Sequence, residues 1–193
     1  WLAGSVGTAE CLQQALALGA TGIQVGTAFA FCEESGLEPE FRRMVLGMEE
    51  PSVFTDPLAS PTGFPFKVIN LPDTLSQAEV YGERTRICDL GYLRQAYRTE
   101  SGKVGFRCSA EPIADFVEKG GNEADTAGRK CLCNALISAV GMGQVRKDGT
   151  SEPPILTAGN RVSHVREFLE PGATTYTAAD VVRKLLGNLP AAG

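Results

Sequence analysis

The first third of the chain alternates short apolar runs with glycine turns, in the order expected for strand, helix and strand. Residues 1–3 form an apolar run that predicts a buried strand. Residues 9–18 place apolar side chains at three- and four-residue spacings, which indicates a helix with one buried face. Residues 23–25 predict a second short strand. Together they predict a β-loop-α-β-loop unit of an α/β fold.

The rest of the chain reads as short helices separated by irregular segments. Prolines break residues 49–70 and leave two short extended pieces, 53–55 and 66–69. Apolar spacing and start signals predict helices at 39–47, 76–83, 112–119, 131–140 and 177–186. The last helix has a capping box formed by Thr177 and Asp180, and Gly187 ends it.

Composition narrows the class of protein and its partners. The 193 residues are 43% hydrophobic and 21% charged, as in an ordinary globular chain. Eighteen basic and 23 acidic residues give a net charge of -5, with no basic stripe for a nucleic acid to follow. We expect no membrane span, no signal peptide and a cytoplasmic location, because no apolar run is long enough and the start lacks a leader pattern.

Two glycine turns carry the candidate binding chemistry. Gly4 and Gly7 precede Thr8, a good N-cap hydroxyl, and Gly26 and Thr27 follow the next predicted strand. Glycine lets the backbone approach a ligand, and the N–H groups at a following helix start suit an anion. Adjacent strand ends would bring both turns onto one phosphate group. The alternative, that these glycines only make tight turns, stays open.

The same residues carry a family resemblance. LAGSVGT at residues 2–8, ALALGATGIQVGTAF at 15–29 and EES at 33–35 resemble the strand 7 to strand 8 segment of nitronate monooxygenases, the 2-nitropropane dioxygenase family. Residues 55–67 and 128–136 look like a larger bacterial subgroup of such proteins. The resemblance implies the C-terminal portion of an FMN-binding (β/α)8 TIM barrel with a helix-rich extension. Residues 1–70 would be the last βα units, and residues 71–193 an irregular helical cap.

The resemblance also implies a cofactor site and a reaction. Ala3, Gly4, Ser5, Gly26 and Thr27 would contact the phosphate of FMN, with Ser5 where the family usually has a second glycine. The implied reaction is flavin-dependent oxidation of an alkyl nitronate, a small-molecule substrate, by O2. The family's usual base is a histidine on an earlier barrel strand, which this sequence does not contain. No catalytic residue is therefore assigned, and we expect the isolated chain to be inactive.

Where the chain begins and what assembles with it are further expectations. Residue 1 is a tryptophan, and the first residues already form a predicted strand. This start predicts that the natural protein extends upstream. A complete barrel needs about 250 residues. A homo-oligomer stays open.

Two other functions remain compatible with the sequence. One is an FMN-dependent enoyl-acyl reductase. Reduction of the bound flavin by NAD(P)H, with an enoyl thioester as acceptor and no turnover of nitronate, would favour this function over a nitronate monooxygenase. The other is a non-catalytic fragment or interaction module, which a colourless chain without FMN binding would favour.

Several further residues could take part in catalysis or ligand binding, but other interpretations account for them. The single histidine, His164, lies in a charged amphipathic stretch far along the chain from the glycine turns, and we interpret it as a solvated helix-face residue. Arg129 and Lys130 could bind an anion, although a solvated helix start is the preferred interpretation. Phe64, Pro65 and Phe66 would either line an apolar pocket or simply pack, and the sequence does not separate these alternatives.

The six cysteines are spread along the chain, which predicts reduced thiols. Cys88, Cys108, Cys131 and Cys133 could in principle form a four-thiolate zinc site. Because paired Cys-x-x-Cys spacing is missing, we interpret them as structural thiols and predict no metal.

Overall fold

A computed structural model describes residues 1–187 of the chain. Residues 188–193, the end of the predicted extension, lie outside the described residues. The fold is mixed α/β, and the described part contains small two-stranded sheets and no closed barrel. Contacts divide it into two compact units, residues 54–157 and a unit that combines residues 1–53 with the chain from residue 158 onward.

The strands and helices are short. The strands are β1 (Leu2–Ala3), β2 (Ile23–Gln24), β3 (Val53–Asp56), β4 (Phe66–Ile69), β5 (Gln95–Arg98) and β6 (Val104–Arg107). The α-helices are α1 (Ala9–Ala17), α2 (Thr27–Ala30), α3 (Pro39–Gly47), α4 (Ala78–Glu83), α5 (Ile113–Glu118), α6 (Leu132–Ser138) and α7 (Ala178–Leu186). Glu123–Thr126 and Val162–Phe168 are 3-10 helices.

The first unit begins with the predicted strand-helix-strand arrangement. β1 and β2 pair in parallel, with Leu2 opposite Ile23 and Ala3 opposite Gln24. α1 connects them, and its N-cap Thr8 accepts a hydrogen bond from the Cys11 N–H at 3.2 Å. Because parallel strands point the same way, the turns after β1 and β2 lie at one edge of this sheet.

The core of the first unit joins the N-terminal segment to the chain after residue 158. The Tyr176 hydroxyl donates to the Ala28 carbonyl at 2.6 Å, and its ring packs on Phe168 at 5.5 Å between centroids. Val162, Val165 and Phe168 form the buried side of their 3-10 helix. The capping box of Thr177 and Asp180 at the start of α7 is present as predicted.

The second unit packs its helices and extended segments around an aliphatic core. β3 pairs with β4, and β5 pairs with β6 as an antiparallel hairpin. The core residues are Val68, Leu75, Leu132, Ala135 and Ile155. The Ile69 N–H donates to the Leu156 carbonyl at 3.0 Å. This bond joins the last residues of the second unit to the end of β4.

A buried charge network lies in the second unit. The Glu152 carboxylate receives Arg84 Nε at 2.6 Å and Arg146 Nη2 at 2.8 Å. The side chains of Arg84 and Glu152 are 5% and 2% exposed. Arg146 also forms an ion pair with Asp89. The Asn134 side-chain amide donates a hydrogen bond from Nδ2 to Asp89 Oδ1 at 2.7 Å. Burial opposes ionisation of Asp89, yet the hydrogen bonds from Arg146 and Asn134 outweigh it and lower the pKa of that carboxyl.

Two sequence expectations differ from the observed fold. The predicted buried first strand is wrong for this chain, since Trp1 is 80% and Leu2 39% exposed. The chain after residue 158 does not continue the predicted extension, because its apolar side chains complete the core of the first unit. The β5–β6 hairpin was not predicted.

Within residues 1–187, no helix is both long and apolar enough to cross a membrane.

Candidate functional site

The turns after β1 and β2 line one cavity of about 190 Å³. Gly4, Ser5, Gly26 and Thr27 all contribute to its wall, as do Val6 to Thr8 between the first turn and α1. The sequence-predicted residues are thus brought together, with one difference. Ala3 ends β1, paired with Gln24, and is not part of the cavity wall.

The backbone of the first turn is left-handed at two consecutive positions. Gly4 has φ 86° and Ser5 has φ 57°. Glycine adopts such a φ freely, whereas a residue with a Cβ pays about 1–2 kcal/mol. Ser5 therefore adopts the conformation that a glycine at this position would favour, at an energetic cost.

We expect Ser5→Gly to raise the free energy of unfolding by about 0.5–1 kcal/mol, because relief of the left-handed strain exceeds the entropy cost of glycine. Urea unfolding measures the change. Ser163→Gly is the control, since Ser163 is exposed on the 3-10 helix and has no positive φ; it should destabilise slightly. Equal destabilisation by both substitutions would show that Ser5 is not strained.

Unpaired backbone donors surround the cavity. The N–H groups of Ser5, Val6, Gly7 and Gly26 have no hydrogen-bond acceptor within residues 1–187. Backbone N–H groups that lack a protein partner must find water or a ligand. Several of them at one cavity suit an anion with several acceptor oxygens.

The chain after residue 158 supplies the other wall of the cavity. The Gly159 N–H donates to Thr27 Oγ1 at 2.9 Å, and a Cβ on Gly159 would lie 3.2 Å from that oxygen. The Thr27 hydroxyl keeps its own proton available for a ligand. Arg161 and His164 also line the cavity.

His164 lies on a 3-10 helix and is partly exposed, and it also lines the cavity of the glycine turns, which was not predicted. Its side chain is 42% exposed, and Nδ1 lies 3.0 Å from Glu167 Oε1 without the geometry of a hydrogen bond. No local pattern indicates this proximity, because more than a hundred residues separate the histidine from the turns.

Arg129 and Lys130 are structural rather than solvated. Arg129 Nη1 donates to the carbonyls of Leu58 and Ser60 at 2.9 and 2.7 Å. Lys130 Nζ lies 2.9 Å from Asp56 Oδ2, in a pair whose side chains are 11% and 15% exposed. Burial opposes ionisation of Asp56, but its hydrogen bond from Lys130 helps to lower the pKa of the carboxyl. Both cations hold the loop after β3.

Four cysteines meet in the second unit. Cys108, Cys131 and Ala110 are buried together, and Cys88 and Cys133 pack against them. Interaction between Cys88 and Cys108 raises the pKa of the first thiol and lowers that of the second, while burial raises the pKa of Cys131 to about 11. All are free thiols. Among residues 1–187, no histidine, cysteine and carboxylate group of three or more is arranged to hold a metal ion.

Phe64, Pro65 and Phe66 are not among the residues that line the cavity. Phe64 is 74% exposed and Pro65 is exposed beside it. Phe66 starts β4 and packs against the aliphatic core of its own unit. Packing within its own unit accounts for Phe66.

Comparison of the chain with protein-family models finds no match, and comparison with curated proteins finds no significant one.

Proposed function

We propose that this chain carries the phosphate-binding end of an FMN site in a flavin-dependent oxidoreductase of the nitronate monooxygenase type. One observation carries the proposal. The ends of two neighbouring parallel strands open into one cavity, where backbone N–H groups of both turns have no acceptor among residues 1–187. Phosphate sites in (β/α)8 barrels are commonly built from the loops after strands 7 and 8.

The size of the cavity fits one end of a flavin nucleotide. Pockets that enclose a whole small ligand usually span roughly 300–1,000 Å³. At about 190 Å³, this cavity is smaller than such pockets, and we propose that it holds the phosphate end of FMN. A Cβ built on Gly26 meets no atom within 4 Å, so the space beside that backbone is open.

The exposed sheet supports the barrel part of the proposal. Parallel sheets are normally covered on both faces, whereas Leu2 of β1 is 39% exposed and β1 has only β2 as a partner in the described part of the chain. We propose that β1 and β2 correspond to the last two strands of a barrel whose other strands would cover them.

Within such an enzyme, this chain's residues would bind and orient rather than react. Bound FMN would supply the redox chemistry. The N–H groups of Ser5 to Gly7 and of Gly26 would fix the phosphate, and Thr27 would add a hydroxyl donor. None of these groups is a base, so a proton-abstracting residue has to come from elsewhere in the active site.

Binding of three ligands to the purified chain tests the proposal. FMN, riboflavin and inorganic phosphate are titrated by fluorescence or calorimetry. We expect FMN to bind at least about tenfold more tightly than riboflavin, because the phosphate supplies charge-assisted hydrogen bonds. Inorganic phosphate should compete with FMN. Equal affinities for FMN and riboflavin, or no binding of FMN and phosphate, would overturn the proposal.

A further inference from the structure

The ionisable residues of the cavity wall are unusual for so acidic a chain. The protein has a net charge of -5, yet the wall contains Arg161 and His164 and no carboxylate. Both residues come from the segment after residue 158, far from the glycine turns in sequence. The electrostatic character of the cavity is therefore set by this returning segment.

The segment is fixed in place by its own packing. Val162 and Val165 are 1% and 2% exposed. The bond from the Gly159 N–H to Thr27 ties the start of the segment directly to the second glycine turn. Arg161 lies between these anchors, so its backbone position relative to the cavity is determined.

Arg161 has no internal partner to neutralise it. Within residues 1–187 its guanidinium forms no ion pair or hydrogen bond, and its side chain is exposed. The carboxylate nearest in sequence, Glu167, lies beside His164 instead. Arg183 pairs with Asp180, so it does not share this role.

We propose that Arg161 is the cationic clamp of this site and that it pairs with a dianionic phosphate monoester held by the two glycine turns. This inference rests on the proposed function and deepens it, because it names the charge and the residue by which the ligand is selected. A guanidinium can donate two parallel hydrogen bonds to phosphate oxygens, which backbone N–H groups then complete. His164 contributes a further donor at the same wall.

The test compares Arg161→Gln with Arg166→Gln in the full chain. Arg166 is exposed on the 3-10 helix that Arg161 precedes, is not part of the cavity wall, and donates to the Met48 carbonyl at 3.2 Å. We expect Arg161→Gln to weaken FMN and inorganic phosphate binding about five- to tenfold and to leave riboflavin binding unchanged. Arg166→Gln should change none of the affinities, and Arg161→Lys should bind FMN less tightly than the unaltered chain but more tightly than Arg161→Gln, because lysine keeps the charge and loses the bidentate fork.

The outcomes separate this inference from the function on which it rests. If the unaltered chain prefers FMN to riboflavin and Arg161→Gln binds FMN equally well, the arginine clamp is overturned while the phosphate site stands. If the unaltered chain binds neither FMN nor phosphate, both are overturned. If Arg161→Gln weakens riboflavin as much as FMN, the residue acts on folding or on the ring, and the clamp is again overturned.

Discussion

Replacing Glu152 with glutamine is expected to lower the free energy of unfolding by about 3–5 kcal/mol, the usual loss when one partner of a buried ion pair is removed. Glu152 receives both Arg84 and Arg146, and the Arg84 side chain is only 5% exposed. The neutral amide would leave the Arg84 charge in a poorly solvated site without a counter-ion. Chemical denaturation followed by circular dichroism measures the change.

A matched control separates this effect from a general loss of negative charge. Glu100 is an exposed residue of the β5–β6 turn with no described partner. Glu100→Gln should shift the unfolding free energy by less than about 0.5 kcal/mol. A loss below about 1 kcal/mol for Glu152→Gln would mean that water, and not the carboxylate, solvates Arg84 in the folded protein.

Local sequence patterns predicted those elements whose cause is local. Thr177 and Asp180 are three residues apart, so their capping box depends on the first turn of α7 alone. The extended segment at 66–69 was predicted at its observed bounds, because prolines and a glycine precede an apolar run. Such signals hold wherever a segment's neighbours in sequence decide its conformation.

The β5–β6 hairpin was missed because its pattern is weak. Its strands contain arginine and glutamine beside aromatic residues, and Val104 and Phe106 remain 69% and 55% exposed. Their stability comes from the ladder that joins Gln95 to Arg107 and Arg98 to Val104, not from a buried face. Periodicity of apolar residues carries little information about such a pair.

Only the glycine turns of the candidate site could be predicted from the sequence, because the other residues of its wall come from a distant segment. Gly4 and Gly26 follow adjacent short strands, so their proximity follows from the parallel pairing alone. Arg161 precedes the 3-10 helix and His164 lies on it, and both line the cavity because the buried face of that helix packs into the unit. Their contribution depends on which hydrophobic surface this helix covers, and a single sequence does not specify that choice.

Substituting Gly26 with valine is expected to weaken FMN binding by about 100-fold while leaving the protein folded. Gly26 has φ -106°, a value that valine also adopts, and a Cβ there meets no protein atom within 4 Å. If the second turn holds the phosphate as proposed, the added methyl groups would compete with it for the space beside Gly26. A steric exclusion of this kind is worth about 2.7 kcal/mol in binding. FMN titration measures the loss, and Gly26→Ala should show a smaller one.

Gly47→Val is the control for the Gly26 substitution because it changes the same atoms elsewhere in the unit. Gly47 ends α3, is exposed, has no positive φ and has open space at its Cβ, yet it does not line the cavity. Valine there should leave FMN affinity unchanged. If Gly26→Val binds FMN as well as Gly47→Val does, the backbone of the second turn does not approach the phosphate. The proposed phosphate site between the two glycine turns would then be overturned.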